Sequence, residues 1–143
     1  LRAILFFIAL IIYMAGMWTT SSTDFMYDQD VSFTFTRDVD WEEFWSVTYL
    51  WKSELDFVLS KFGHYFGSWI LAHLFFKWRG LRTSTLALLL LFVSFSEVTQ
   101  EFFTRDARFL DIGINAVGVL TAAYIIGRNS SQKTKTTRKS AEQ

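Results

Sequence analysis

Ser96-Glu97-Val98-Thr99-Gln100-Glu101-Phe102-Phe103-Thr104-Arg105-Asp106-Ala107-Arg108-Phe109-Leu110-Asp111 sets a dense run of polar and ionisable side chains between two apolar stretches. Residues 86–95 before it are mostly Leu, Phe and Val, and residues 112–126 after it are similarly apolar but carry Asn115 near their start. Two membrane helices that leave and re-enter one face of a bilayer produce this pattern. Ionisable groups at that depth are costly and usually have a task.

Composition supports an integral membrane protein. The 143 residues are 51% hydrophobic, with 16 Phe, 6 Trp and no Pro, which is more apolar surface than one small soluble core can use. Without Cys there are no disulfides and no Cys-ligated zinc or iron-sulfur centres, so any metal would need His, Asp or Glu ligands. The formal net charge is zero, yet the charges are strongly segregated along the chain.

Four apolar segments, at residues 3–18, 59–78, 81–98 and 110–126, approach the ~20 residues needed to cross ~30 Å of hydrocarbon. The first resembles a signal peptide with Arg2 at its charged start. Bulky Met17 and Trp18 stand where cleavage needs small residues, so it reads as an anchor. The leading Leu1 suggests a natural start further upstream. Lys77, Trp78, Arg79, Gly80 and Arg82 connect the second and third segments, which makes those two an antiparallel hairpin.

That turn is basic, as is the tail with Arg128, Lys133, Lys135, Arg138 and Lys139. The loop at 19–56 holds nine Asp and Glu against Arg37 and Lys52. Because basic segments stay in the cytoplasm, both termini and the turn are expected inside the plasma membrane, with the acidic loop and the 97–111 connection outside. The expected fold is an all-α, four-transmembrane-helix bundle over residues 1–128 with a long outer loop at 19–56. A Ser, Thr and Lys-rich cytoplasmic tail at 129–143 is expected to be disordered and drawn to anionic lipid.

Within the loop, Val31, Phe33 and Phe35 alternate with Ser32, Thr34 and Thr36, which suggests an extended segment. Asp40 followed by Glu43 suggests a helix start, and residues 41–55 interleave Trp41, Phe44, Trp45, Tyr49, Leu50 and Trp51 with charge, as a helix in the headgroup region would. These aromatics either anchor the protein at the interface or help to hold a substrate.

At ~100° per residue, Lys61, His64, Tyr65 and Ser68 share one face of the second span. Ser94, Glu97, Gln100 and Glu101 share one face of the third, and Asp111, Asn115, Gly118 and Ala122 one face of the fourth. Every stripe lies at the outer end of its span, so the three are expected to meet in one polar cluster. Gly113, Gly118 and Ala122 offer a small-residue surface for close helix approach. His73 points about 180° from His64 and nearer the inner end, which suits a structural or interfacial role.

The combination of Lys61-x-x-His64, Glu97-x-x-Gln100, Phe103-Thr104-Arg105, Asp111, Asn115 and Gly118 resembles the VanZ-like family of small membrane proteins. The resemblance covers roughly residues 60–127, where the Arg105, Asp111, Asn115 and Gly118 spacings fit the family's pattern. The chain differs in its longer acidic, aromatic loop and in Thr104-Arg105-Asp106, where the family often has Pro-Gly-Arg. The resemblance implies a four-span membrane protein, sometimes linked to lowered sensitivity to the glycopeptide teicoplanin, and implies no settled reaction.

Three readings therefore stand. In the first, Lys61, His64, Glu97, Gln100, Arg105, Arg108, Asp111 and Asn115 bind a lipid headgroup, a cell-envelope precursor or a lipophilic glycopeptide, with the arginines on phosphate or carboxylate. In the second, the protein is a membrane-embedded enzyme acting on an envelope lipid, with catalytic candidates His64, Glu97 and Asp111 as acid and base. In the third, the polar groups are a structural network that fixes the bundle. A lone His at the cluster would need Glu97 and Asp111 to complete a zinc site, which is unusual for structural zinc. No metal, cofactor or nucleic-acid partner is expected, and membrane lipids are the expected surroundings.

Overall fold

Residues 1–46, 55–103 and 108–141 are described by the structure, which is a computed structural model. In chain order the helices are α1 (Arg2–Trp18), α2 (Ser22–Tyr27), α3 (Trp41–Trp45), α4 (Leu55–Arg79), α5 (Thr83–Gln100) and α6 (Phe109–Ala141), with a short 3₁₀ turn at Glu101–Phe103. There is no strand among the described residues. The four long helices form the body of the molecule. α4 packs most extensively on α6, α1 lies against α4, and α5 lies against α6.

Helix ends follow local chemistry. α4 stops at Gly80, whose φ of +82° is open to glycine and strained for other residues, and whose N–H still bonds the Phe76 carbonyl at 2.9 Å. The Thr85 hydroxyl then accepts from the Arg82 N–H at 2.9 Å and opens α5, so the expected tight turn is present, but α4 and α5 touch little beyond it because α4 packs on α6 and α1 instead. The expected helix start at Asp40 is present, since its carboxylate accepts from the Glu43 N–H at 2.9 Å. That helix ends at Trp45, where Ser46 is extended at ψ 144°, so the single helix over residues 41–55 that composition suggests is not formed, and residues 47–54 lie outside the described residues. Residues 31–36 form no strand, but their backbone is tied down. Thr20 N–H donates to Ser32 at 2.8 Å and Thr36 N–H to Phe102 at 2.9 Å.

α6 runs to Ala141, through the segment that composition reads as disordered. Residues 129–141 contain no Gly or Pro and several good helix formers, so a helix already nucleated by packed residues propagates through them cheaply. The Ser130 and Ser131 hydroxyls bond back to the Ile126 and Gly127 carbonyls along the way.

The interior is more polar, and the exterior more apolar, than in a soluble protein. Phe6, Leu71, Phe76, Val93, Val119 and Ala122 are buried in the core, but so are His64, Ser68, Glu97, Gln100, Asp111 and Asn115. Large apolar side chains cover the outside instead, including Ile8 and Ile11 on α1, Phe62 and Phe66 on α4, Leu91 and Phe95 on α5, and Leu120 and Tyr124 on α6. Exposed apolar surface on this scale needs a non-aqueous neighbour. By length and composition, Thr83–Phe103 and Phe109–Gln132 can each cross a membrane, and Arg2–Trp18 is a shorter apolar helix. α4 is less apolar in composition, because it carries Lys61, His64, Ser68 and His73. Its polar residues His64 and Ser68 are buried, while the exposed Val58, Phe62, Phe66 and Ile70 form an apolar stripe.

α4 and α6 can approach closely because of Gly118. A Cβ there would stand 2.5 Å from the Tyr65 carbonyl oxygen and 3.1 Å from the Trp69 nitrogen, so the backbones meet at this point. The expected contact at Ala122 is also present, as that residue is fully buried. Gly113 departs from expectation, since a Cβ there would meet nothing within 4 Å. It lies five residues before Gly118, about 140° around the helix, and so leaves the packed face.

Candidate functional site

The first turns of α4 and α6 and the last turns of α5 bring the three polar stripes together. The Lys61 ammonium donates to both carboxylate oxygens of Asp111, at 2.6 Å each. His64 lies between two acids, with Nδ1 3.5 Å from Glu97 Oε2 and Nε2 4.0 Å from Asp111 Oδ2. Both separations exceed a good hydrogen bond. Asn115 Nδ2 donates to Glu97 Oε2 at 2.8 Å. Glu97 and Asn115 are fully buried, Asp111 is 2% exposed and His64 6%. Lys61 keeps 17% exposure at its side chain, more than its partner Asp111.

Other expected members are dispersed. Gln100 is buried, but its Nε2 contacts Met17 Sδ at 3.2 Å instead of a carboxylate. Arg108 is mostly buried, pairs with Glu43 at 3.3 Å and lies over the Phe57 ring at 6.0 Å. It is thus engaged by the outer loop. Arg105 lies outside the described residues. Tyr65 bonds Thr121 at 3.4 Å, one turn deeper, and Ser68 bonds back to the Tyr65 carbonyl at 3.0 Å. Ser94 and Ser96 bond back to Leu90 and Val93 at 2.8 and 2.9 Å, as serines in membrane helices commonly do. His73 stands apart, beside Trp69 at 5.8 Å between ring centroids.

The contribution of α1 was not expected. Tyr13 OH lies 3.5 Å from Ser96 Oγ, and Met17 touches Gln100. The available signals are Tyr13 and Met17, a hydroxyl and a thioether inside an otherwise apolar run. Between α1 and α4 lies an apolar groove of about 200 Å³, bordered by Ile12, Gly16, Phe25, Gly63 and Gly67. His64 is also on its wall, so one side of the imbedded imidazole belongs to the groove and the other to the carboxylates.

An aromatic layer closes the same end. Trp18 stacks on Phe103 at 5.1 Å and donates its Nε1–H to Thr99 at 3.1 Å. Phe35 stacks on Phe102 at 6.3 Å, and Trp45 contacts Phe109 at 5.0 Å. The loop aromatics thus pack on the bundle end.

An imidazole between two carboxylates can relay a proton or carry a positive charge. It can also share a cation with them, because single donor atoms of His64, Glu97 and Asp111 all lie within 4.8 Å of one another.

A helical bundle with an apolar exterior and a buried ionisable cluster defines the chain as a helical membrane protein. It is similar to YwnJ, an uncharacterized membrane protein of Bacillus subtilis (strain 168), with 29% identity over 122 residues, covering 84% of this chain and 87% of the relative. No protein-family profile matches the chain. No solved structure matches it.

Proposed function

We propose that this chain is a four-span plasma-membrane protein whose outer polar cluster binds the headgroup of an envelope lipid or lipid-linked precursor while an acyl or prenyl chain lies between α1 and α4. The observation that carries this reading is the position of His64, on the wall of an apolar groove and within 4.0 Å of two buried carboxylates. A ligand with an apolar chain and a polar head is the kind that uses both surfaces.

Four spans are supported by the exposed apolar stripe on α4, and by α4's 25 residues, about 37 Å long. The orientation is supported by the ends of the bundle. Arg2 bonds the Lys77 carbonyl at 3.2 Å, and Gly127 lies beside Leu81, so the N-terminus, the basic turn and the base of the basic tail share one end. The acidic loop and the cluster share the other. Positive segments facing the cytoplasm then support an outer-leaflet position for the cluster. The resemblance to VanZ-like proteins makes a lipophilic glycopeptide a further candidate ligand.

Gly63 provides the test. A Cβ at that position meets nothing within 4 Å, so Gly63→Leu would occupy the groove without a backbone clash. Native mass spectrometry of wild-type protein extracted in mild detergent should show retained lipid, and Gly63→Leu should lose it at unchanged thermal stability. Equal lipid retention by the two proteins would contradict the reading.

A structural role for the cluster has one specific observation in its favour, the complete burial of the Asn115–Glu97 hydrogen bond. Such a bond fixes the register of α5 against α6 whether or not a ligand binds.

A further inference from the structure

We propose that His64, Glu97 and Asp111 form a site for a first-row divalent cation such as zinc or manganese, with Lys61 as the counter-ion that occupies the site when the metal is absent. This goes beyond the lipid reading and does not depend on it.

Metal–ligand distances near 2.1 Å place tetrahedral donors about 3.4 Å apart. His64 Nδ1 and Glu97 Oε2 already stand at 3.5 Å, and the set lies within 4.8 Å, so side-chain movements of up to about 1.4 Å complete three ligands. One imidazole and two carboxylates suit zinc or manganese better than magnesium, which prefers an all-oxygen shell. Three protein ligands also leave an open position, as catalytic metal sites do.

Asn115 is an independent pointer. Its side chain is fully buried, its Nδ2 is spent on Glu97, and its Oδ1 has no hydrogen-bond partner among the described residues. An unfilled buried acceptor is uncommon and asks for a group to satisfy it. Beside this cluster the oxygen can serve as a fourth donor or accept a hydrogen from metal-bound water.

Charge explains Lys61. Two carboxylates in a site nearly closed to water require positive charge nearby. A divalent ion matches both. Lys61 supplies one charge through its two 2.6 Å contacts to Asp111, and its partly exposed stem lets the ammonium withdraw toward the interface when a metal enters. Metal and lysine therefore compete for the same carboxylate.

The experiment uses full-length protein in nanodiscs, stripped with chelator, reloaded with Zn²⁺ or Mn²⁺, washed and assayed for metal by mass spectrometry. About one ion per chain is expected in wild type and in His73→Ala, falling at least tenfold in His64→Ala and Glu97→Gln. Mg²⁺ should be neither retained nor stabilising. Because the loss variants also remove buried polar contacts, Lys61→Met is the decisive variant. Removing the competitor should tighten metal binding about tenfold or more, and added metal should restore the stability this variant loses in chelator. Failure of wild type to retain zinc or manganese, or a Lys61→Met variant with unchanged or weaker affinity, would overturn the proposal. Neither readout involves lipid, so the metal site and the lipid groove can fail separately.

Discussion

The Lys61 ammonium contacts both carboxylate oxygens of Asp111 at 2.6 Å, across a sequence separation of 50 residues, and joins the start of α4 to the start of α6. The two partners differ in exposure, at 17% and 2%, and this makes their substitutions unequal. Lys61→Met strands a buried carboxylate, at a cost of about 3 kcal/mol in metal-free buffer. Asp111→Asn frees a lysine that can reach the interface, at about 1 kcal/mol. Reversible unfolding in detergent with chelator present should give that order, and equal losses would show that Lys61 is as enclosed as its partner.

Gly118 and Gly113 make a matched pair on one helix. A methyl group at Gly118 collides with the Tyr65 carbonyl, whereas one at Gly113 meets open space. Gly118→Ala should therefore lower stability by about 1–3 kcal/mol. Gly113→Ala should be neutral or slightly stabilising through helix propensity. Thermal denaturation of the two variants side by side would reveal a different rotation of α6 if their effects were reversed.

Orientation can be read by chemical labelling, because the chain has no native Cys. Cysteines placed at Gly80 and Ser131 should resist a membrane-impermeant thiol reagent in intact cells, and one at Ser32 should react. Labelling at Gly80 from outside would reverse the assignment of the acidic loop and cluster to the outer face.

Much of the site was legible because helical spacing and depth are both written in the chain. The stripes through His64, Glu97 and Asn115 meet as expected, His73 stays apart, and Gly118 marks the closest helix approach. Pairing was less accessible. Spacing on α4 and α6 cannot say that Lys61 chooses Asp111, because that depends on the relative heights of two helices 50 residues apart. Arg108 looked available for an anion, yet Glu43 from the outer loop reaches it, and loop positions carry no periodic signal. α1 offered only Tyr13 and Met17 within an apolar run, so its approach to Ser96 and Gln100 left no pattern to detect. The continuation of α6 past residue 128 was hidden for a different reason. Composition reports average polarity, while helix propagation depends on what precedes the segment.

Asn115 separates the roles of its two polar atoms. Asn115→Asp keeps size but replaces the donor to Glu97 with a second acid, which should destabilise the bundle by about 2 kcal/mol or more unless a proton or cation is taken up. Asn115→Leu removes both atoms and leaves Glu97 without this donor. Unfolding measurements with and without Zn²⁺ should show metal rescuing the Asp variant and not the Leu variant. Rescue of both would place the cation away from Asn115.

If the buried cluster binds a lipid headgroup, its charge governs lipid retention as well as bracing the bundle. The most direct measurement compares Glu97→Gln with wild type for bound lipid per folded protein, by native mass spectrometry on samples matched for membrane abundance and monodispersity. Glu97→Gln preserves shape and removes one charge at the base of the cluster. The expected result is a folded variant with lipid retention reduced several-fold. A folded variant with full lipid retention would contradict a lipid-binding role for the cluster.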